Sequence, residues 1–443
     1  MKEVSSVKIT VIGAGLAGCE AACAAAALGV KVDLYEMKPC EMSPAHQSPL
    51  FGELVCSNSL KAARVESAAG LLKEEMRRLG SVCMAAAKRS SVAAGGALAV
   101  DRDDFSQYIT DVVKSNENIT VHEERINKLP REGVVIIATG PLTDGKLAED
   151  IKALCGSDYL NFFDAAAPIV THESIDMNIT FTASRYGRGE SDDGDYINLP
   201  MDKEEYETFY NALIAAESAP LKDFDKPLTV YEGCMPIEIM AKRGADTMRF
   251  GPLKPVGLRD PRTGHRPWAV AQLRRENKNG SLYNIVGFQT NLKFGEQKKV
   301  FSMLPGLANA EFVRYGVMHR NSFINSPKLL NKSFSLKSNE NIFFAGQLSG
   351  VEGYMESAAS GIMAGINAVH SIKGEVPLVL PEFTMIGALS GYISDESVTN
   401  FQPMGANFGV IPPLKTKIRD KKERYGALAA RSLAWFDKNI KGE

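Results

Sequence analysis

Two cysteines sit where a thiol could do chemistry. Cys56 lies in Glu53-Leu-Val-Cys56-Ser-Asn-Ser-Leu60, shortly after Ser43-Pro-Ala-His46-Gln, and Cys234 lies in Tyr231-Glu-Gly-Cys234-Met-Pro236-Ile-Glu238. Both are surrounded by Gly, Pro, Ser and Asn, which places them in loops, where function concentrates. A thiolate is the strongest neutral-pH nucleophile among side chains, although a lone loop cysteine is more often inert than catalytic. The other five cysteines carry no such pattern. Cys19 and Cys23 fall four apart in an Ala-rich helical stretch and read as packing, and Cys40, Cys83 and Cys155 have no informative neighbours. Seven cysteines with no C-x-x-C pair argue against a zinc site or a disulfide framework, so no metal is expected.

The elements that must position these thiols begin at the N-terminus. Val7–Ile12 reads as a buried parallel strand, followed by Gly13-Ala14-Gly15-Leu16-Ala17-Gly18, a helix from Cys19 to Leu28 stopped by Gly29, and a second strand, Val30–Tyr35, ending at Glu36. Gly13 makes the tight turn, Gly15 lets backbone approach a pyrophosphate, and Gly18 permits close packing of helix on strand. The helix N-terminus faces the phosphates. Glu36, 18 residues after Gly18, stands where an acid accepts from a ribose hydroxyl. A lone G-x-G-x-x-G is weak evidence, but here strand, helix, strand and acid are in register. Val134–Ala138 running into Thr139-Gly140 looks like the segment that closes the nucleotide domain of many flavoproteins. Asn341–Ala345 leading to Gly346-Gln347, then Gly350, Gly353 and a helix from about Glu356, resembles the late FAD-gripping segment of glutathione-reductase-type proteins. FAD is therefore favoured over NAD. No second glycine fingerprint follows a strand (Gly187–Gly194 is acidic and loop-like), so a nicotinamide donor would only visit the flavin face.

After Gly140 the chain becomes acidic and loop-rich until near Asn341. The expected fold class is α/β: a Rossmann-type, glutathione-reductase-like FAD-binding domain interrupted by an α+β insertion. Residues 1–175 form its first part, 176–332 the insertion, and 333–443 the second part with a C-terminal helix. Asp202–Ala216 is expected to be helical with Asp202 as cap. The 443 residues suit two or three domains. Composition is that of a soluble globular chain, and neither a membrane span nor a leader peptide is read at the N-terminus; the expected location is the cytoplasm. Net charge is only −2, yet Ala241–Lys332 carries 17 Lys/Arg against 5 Asp/Glu, while Pro141–Met240 carries 7 against 20. Such asymmetry is the footprint of a polyanionic partner, or else of charges that interleave after folding. The run Lys415–Arg424 reads as a solvated approach to a terminal helix over Ala427–Phe436, with an RNA-backbone contact as the sharper alternative.

Ile12–Gly18, Tyr35-Glu-Met-Lys38-Pro39, Ser43–Gln47, Leu54–Ser59, Gly95-Gly-Ala-Leu-Ala-Val-Asp-Arg102, Tyr231–Glu238, Gly287-Phe-Gln-Thr-Asn-Leu-Lys293, Met318-His-Arg-Asn321 and Ala345–Tyr354 together resemble the folate- and FAD-dependent tRNA (uracil-5-)-methyltransferases nearly end to end. One departure is Ala93-Ala94 where the family usually has a proline before Gly95. The resemblance implies that FAD, held by Gly13–Gly18, Glu36, Lys38, Arg102, Gly140, Gly346 and Gln347, works with 5,10-methylenetetrahydrofolate and NAD(P)H. A one-carbon unit then passes by way of reduced flavin to C5 of a T-loop uridine, giving ribothymidine. It implicates Cys56 and Cys234 jointly, without dividing their roles. His46 or an arginine of the basic segment could lower a thiol pKa, and Asn291, Lys293, His319 and Arg320 are weak folate or RNA candidates. The basic segment 241–332 becomes the expected tRNA (T arm) contact, richest at Arg259, Arg262, Arg266, Arg274 and Arg275, with His265 and Trp268 for stacking. No protein partner and no S-adenosylmethionine use are implied. The rival readings are the same chemistry on a ribosomal RNA uridine, a relative of the larger enzyme acting on wobble uridine, a plain FAD oxidoreductase, and a non-catalytic flavin-stabilised RNA-binding protein.

Overall fold

The computed structural model describes residues 8–43, 45–156, 159–187, 194–219, 235–398 and 401–440. Its first sheet runs, in spatial order, Ser335–Leu336, Asn339–Phe344, Val134–Ile137, Ile9–Ile12, Val32–Glu36 and Ile119–Glu123. All pairs are parallel except the edge hairpin of Ser335–Leu336 with Asn339–Phe344. Val134–Ile137 is buried throughout, as a strand covered on both faces must be. The register sets Ile12 beside Tyr35 and Ile137, and Phe344 beside Ile137. The carboxyl ends of four strands therefore share one edge, where ligands of open α/β sheets bind.

Two helices lie against each other beneath that edge, Leu16–Ala27 and Tyr354–Lys373. Their backbones touch because glycine stands at the crossing: a Cβ on Gly361 would fall 2.1 Å from the Ala17 carbonyl oxygen, and one on Gly365 2.4 Å from that of Ala21. This close crossing fixes where Tyr354, the first residue of its helix, points.

The chain leaves the nucleotide sheet after Ile137 and returns at Ser335. Between them lies a second, antiparallel sheet in the order Phe181–Thr182, Tyr196–Met201, Ala269–Arg275, Leu282–Ile285, Ile169–Thr171 and Phe312–Arg314. Lys203–Ala215 packs on it with Asp202 as N-cap and a full capping box through Glu205. Tyr159–Ala165 and Met318–Ile324 pair as an antiparallel connector, carrying the chain out and back. The second sheet takes its first strand at Ile169, seven residues before the expected boundary at 176, because Val170 already pairs with Tyr283. A small third sheet, Ser59–Ala62 with Ala97–Val100 and Ser91–Val92, supports the far side of the Cys56 loop. The terminal helix, Lys421–Asn439, starts within the basic run and buries Leu428, Ala429, Ser432 and Phe436. Among the described residues no helix is long and apolar enough to cross a membrane.

Candidate active site

A cleft opens at the carboxyl edge of the nucleotide sheet, with an empty volume, open mouth included, of about 1440 Å³. Gly13, Gly15, Leu16, Ala17, Glu36, Lys38, Gly140, Gly346, Gln347 and Cys56 all line it. The helix facing it has Gly15 as N-cap with no side-chain cap, so its first N–H groups are left for a ligand. Nothing lies within 4 Å of where a Cβ on Gly15 would be, whereas a Cβ on Gly13 would strike the Ala138 carbonyl at 2.5 Å and one on Gly18 the Gly13 carbonyl at 1.7 Å. Gly13 and Gly18 are thus demanded by the protein's own backbone, and Gly15 by open space in front of a helix N-terminus. Glu36 accepts from Ala14 N at 2.6 Å and Lys38 N at 3.0 Å, which fixes its carboxylate at the cleft wall with lone pairs to spare for ribose hydroxyls. These features fit an adenine dinucleotide with its pyrophosphate on Gly15.

Three of the expected cofactor residues do not line the cleft. Ala14 serves by orienting Glu36, Gly18 by packing, and Arg102 lies beneath the Cys56 loop. Lys38 reaches the cleft but directs its ammonium to the Ser48 and Leu50 carbonyls and to Glu53, so it organises that loop. His46 lines the cleft, yet its Nδ1 is 2.6 Å from Ser43 Oγ rather than on a thiol. Burial and then the Lys38 charge push the His46 imidazole below its usual range, so it is neutral at physiological pH. Asn291 is committed to Glu238 and the Ala219 carbonyl, and Lys293 to Glu217. Cys234 and the side chains of His319 and Arg320 lie outside the described residues.

Cys56 sits under a set of charges that come from the start of the Arg102–Ser115 helix and from the second sheet. Arg102 donates to the Leu54 carbonyl and, at 2.7 Å, to Glu276. Arg314 donates to the Val55 carbonyl. Arg274 donates to Ser57 Oγ at 2.8 Å and to Asn58 Oδ1 at 2.9 Å, while Asn58 Nδ2 returns to the Val100 and Arg275 carbonyls. Three guanidiniums therefore meet one carboxylate around this loop. Burial works against the Arg102 charge, but Glu276 outweighs it and holds the guanidinium above its usual range. Burial lowers Arg314, and the neighbouring Arg102 lowers it further. Arg274, read from sequence as a phosphate contact, is almost wholly buried and spent on the loop. Residues that sequence reasoning passed over are Tyr354, Arg314, Glu276 and Asn58. Tyr354 Oη takes N–H bonds from Cys56 at 2.7 Å and Ser57 at 3.2 Å, and stands 3.0 Å from Cys56 Sγ.

A parallel βαβ unit, an uncapped helix N-terminus and an acid on the second strand define a Rossmann-type dinucleotide-binding protein, here with the Cys56 thiol at the cleft. The chain belongs to the family described as Glucose inhibited division protein A (GIDA), which matches residues 8–376, and within it to the proteins named methylenetetrahydrofolate--tRNA-(uracil-5-)-methyltransferase TrmFO. The relative so named from Acetivibrio thermocellus is 60% identical over 425 residues, covering 96% of this chain and 97% of its own. That from Halalkalibacterium halodurans is 55% identical over 438 residues, covering 99% and 100%. The crystal structure of Aquifex aeolicus GidA (form II) superposes with a TM-score of 0.69 at 16% identity, over 100% of this chain and 75% of that one, and so shares the fold.

Proposed function

We propose that this chain transfers a one-carbon unit from 5,10-methylenetetrahydrofolate to C5 of the T-loop uridine of tRNA, with FAD as prosthetic group and NAD(P)H as reductant. The observation that carries this reading is a cysteine placed at the wall of a dinucleotide cleft among three guanidiniums. Bound FAD would supply electrons and carry the carbon between folate and base. The protein's part is to activate the base. C5 of uracil is a poor nucleophile, and attack of a thiolate on C6 forms an S–C6 bond and moves the C5–C6 electron pair into an enolate rich at C5. After C5 has accepted the carbon as a methylene unit and lost its proton, a hydride that bound, reduced FAD would supply converts the methylene to methyl as the thiolate is expelled and the ring is restored. Cys56 is the described thiol positioned for this, with Cys234 as its proposed companion.

The RNA side is assigned to the insertion, in the cytoplasm where tRNA is available. Its loop around Arg259–Trp268 is exposed, and Arg249 lies over the Trp268 ring at 3.7 Å with Lys203 at 5.7 Å. The strand Ala269–Arg275 starts beside that indole and, about 3.3 Å per residue, brings Arg274 under Ser57 roughly 20 Å away. A phosphate backbone on the loop and a base at Cys56 are thus a duplex width apart. Binding should weaken steeply with salt, and Arg259→Ala or Arg266→Ala should each lower the slope of log affinity against log salt by about 1. Filter binding across a salt series measures it, and an unchanged slope would move the contact elsewhere.

The deciding assay supplies labelled methylenetetrahydrofolate and NADPH or NADH to an unmodified tRNA transcript. Parallel reactions omit folate, substitute S-adenosylmethionine, or replace the T-loop uridine by cytidine. Label is expected only with folate and only in the uridine transcript; label from S-adenosylmethionine, or none in tRNA, overturns the proposal.

A further inference from the structure

Tyr354 is the first residue of its helix, half-buried at the cleft wall, and separated from Cys56 by 298 positions in sequence. Its oxygen has two lone pairs and one hydrogen. The Cys56 and Ser57 N–H groups, at 2.7 and 3.2 Å, occupy the lone pairs. The hydroxyl hydrogen is then left for Cys56 Sγ at 3.0 Å, the one remaining hydrogen-bond neighbour of this oxygen among the described residues. A sulfur that must accept is best served by being a thiolate, which accepts far more strongly than a thiol. We propose that Tyr354 donates its hydroxyl hydrogen to Cys56 Sγ and so keeps that sulfur deprotonated and aimed into the cleft.

The surrounding charges agree with this assignment. Arg102, Arg274 and Arg314 approach the loop from one side of the nucleotide domain and two strands of the second sheet, and Glu276 is the carboxylate among them. Glu53, on the thiol's own loop, is turned away to Lys38 and the Gln47 N–H. The balance favours an anion on sulfur. Burial, and next the charge of Cys56, hold the Tyr354 phenol well above its usual range, so it stays a donor at any working pH. The two N–H bonds also pin residues 56 and 57 to the oxygen, which makes Tyr354 a guide for the sulfur as well as its donor.

This inference deepens the reading of Cys56 as the thiol that meets the base, and it can be tested without any RNA. FAD-loaded protein is alkylated with iodoacetamide over a pH series, and modification of the Cys56 peptide is followed by mass spectrometry. The wild-type midpoint is expected below the ordinary thiol value of about 8.5. Tyr354→Phe should raise that midpoint by about one to two pH units, since a hydrogen bond to a charged group is removed, with flavin content unchanged. Should Tyr354→Phe fail to fold, 3-fluorotyrosine at 354, a stronger donor of the same shape, should lower the midpoint instead. An unmoved midpoint, a Tyr354→Phe protein merely slower at every pH, or a Cys56 inert at every pH overturns the assignment. A shifted midpoint in a protein that methylates no tRNA would leave this inference standing and remove the proposed reaction.

Discussion

Gly15→Ala is expected to leave the chain folded and to strip it of flavin. Gly15 has φ −71°, a conformation alanine adopts without strain, and no atom of the protein lies within 4 Å of the added methyl. The apoprotein should therefore unfold at the wild-type temperature. The methyl would instead fill the space before the uncapped N–H groups of the first helix, where a pyrophosphate must come into contact with backbone. Overpacking a close contact costs about 1–3 kcal/mol, which is about 5- to 150-fold in affinity. Titration of apoprotein with FAD and thermal unfolding without it read the two effects separately. Gly18→Ala is the contrast: its methyl would meet the Gly13 carbonyl at 1.7 Å, so the βα turn itself is disrupted and both readouts fall together. Undiminished flavin binding by the Gly15 variant would place the phosphates elsewhere in the cleft.

The difference between those two glycines also measures what the sequence could disclose. The strand, the three glycines, the helix and Glu36 are contiguous, and each is dictated by local geometry, so the nucleotide unit was readable from spacing alone. So was Lys203–Ala215, because Asp202 and Glu205 form a cap within one turn. The second sheet was not, since Ile169–Thr171 and Phe181–Thr182 are too short to display alternation. Charge counting located the basic segment but could not separate Arg266, exposed on a loop, from Arg274, buried under Ser57 eight residues later. Position within a strand, not residue type, makes that distinction. Arg102 was placed with the cofactor on its motif, yet it holds the Leu54 carbonyl and Glu276, the latter a pairing that exists only once the helix starting at Arg102 meets the end of the Ala269–Arg275 strand. Tyr354 was quoted in a motif without a role for the same reason: its partners are Cys56 and Ser57, and no local pattern links a helix start to a loop 298 residues earlier.

Cys56→Ala should abolish methyl transfer while leaving the redox half of the reaction intact. Removing a nucleophile that works as a unit with its activators lowers turnover by at least about a thousand-fold. The other features of the site do not depend on the sulfur. Gly15 caps the first helix and Glu36 ends the second strand, while Arg274 donates to Ser57 Oγ and Asn58 Oδ1 and Arg314 to the Val55 carbonyl. The variant should accordingly hold FAD, oxidise NAD(P)H in the presence of a suitable acceptor, and bind tRNA with wild-type salt dependence. Because Arg102, Arg274 and Arg314 would then face one carboxylate and no thiolate, the loop keeps its bonds but loses an anion. Added chloride or another small anion should not restore turnover, since charge alone cannot form the S–C6 bond. The measurement is single-turnover label transfer from methylenetetrahydrofolate beside a parallel NAD(P)H oxidation assay. Loss of the first with retention of the second locates the thiol in base activation. Retention of both would shift the nucleophilic role to Cys234, and loss of both would mean that Cys56 shapes the flavin site itself.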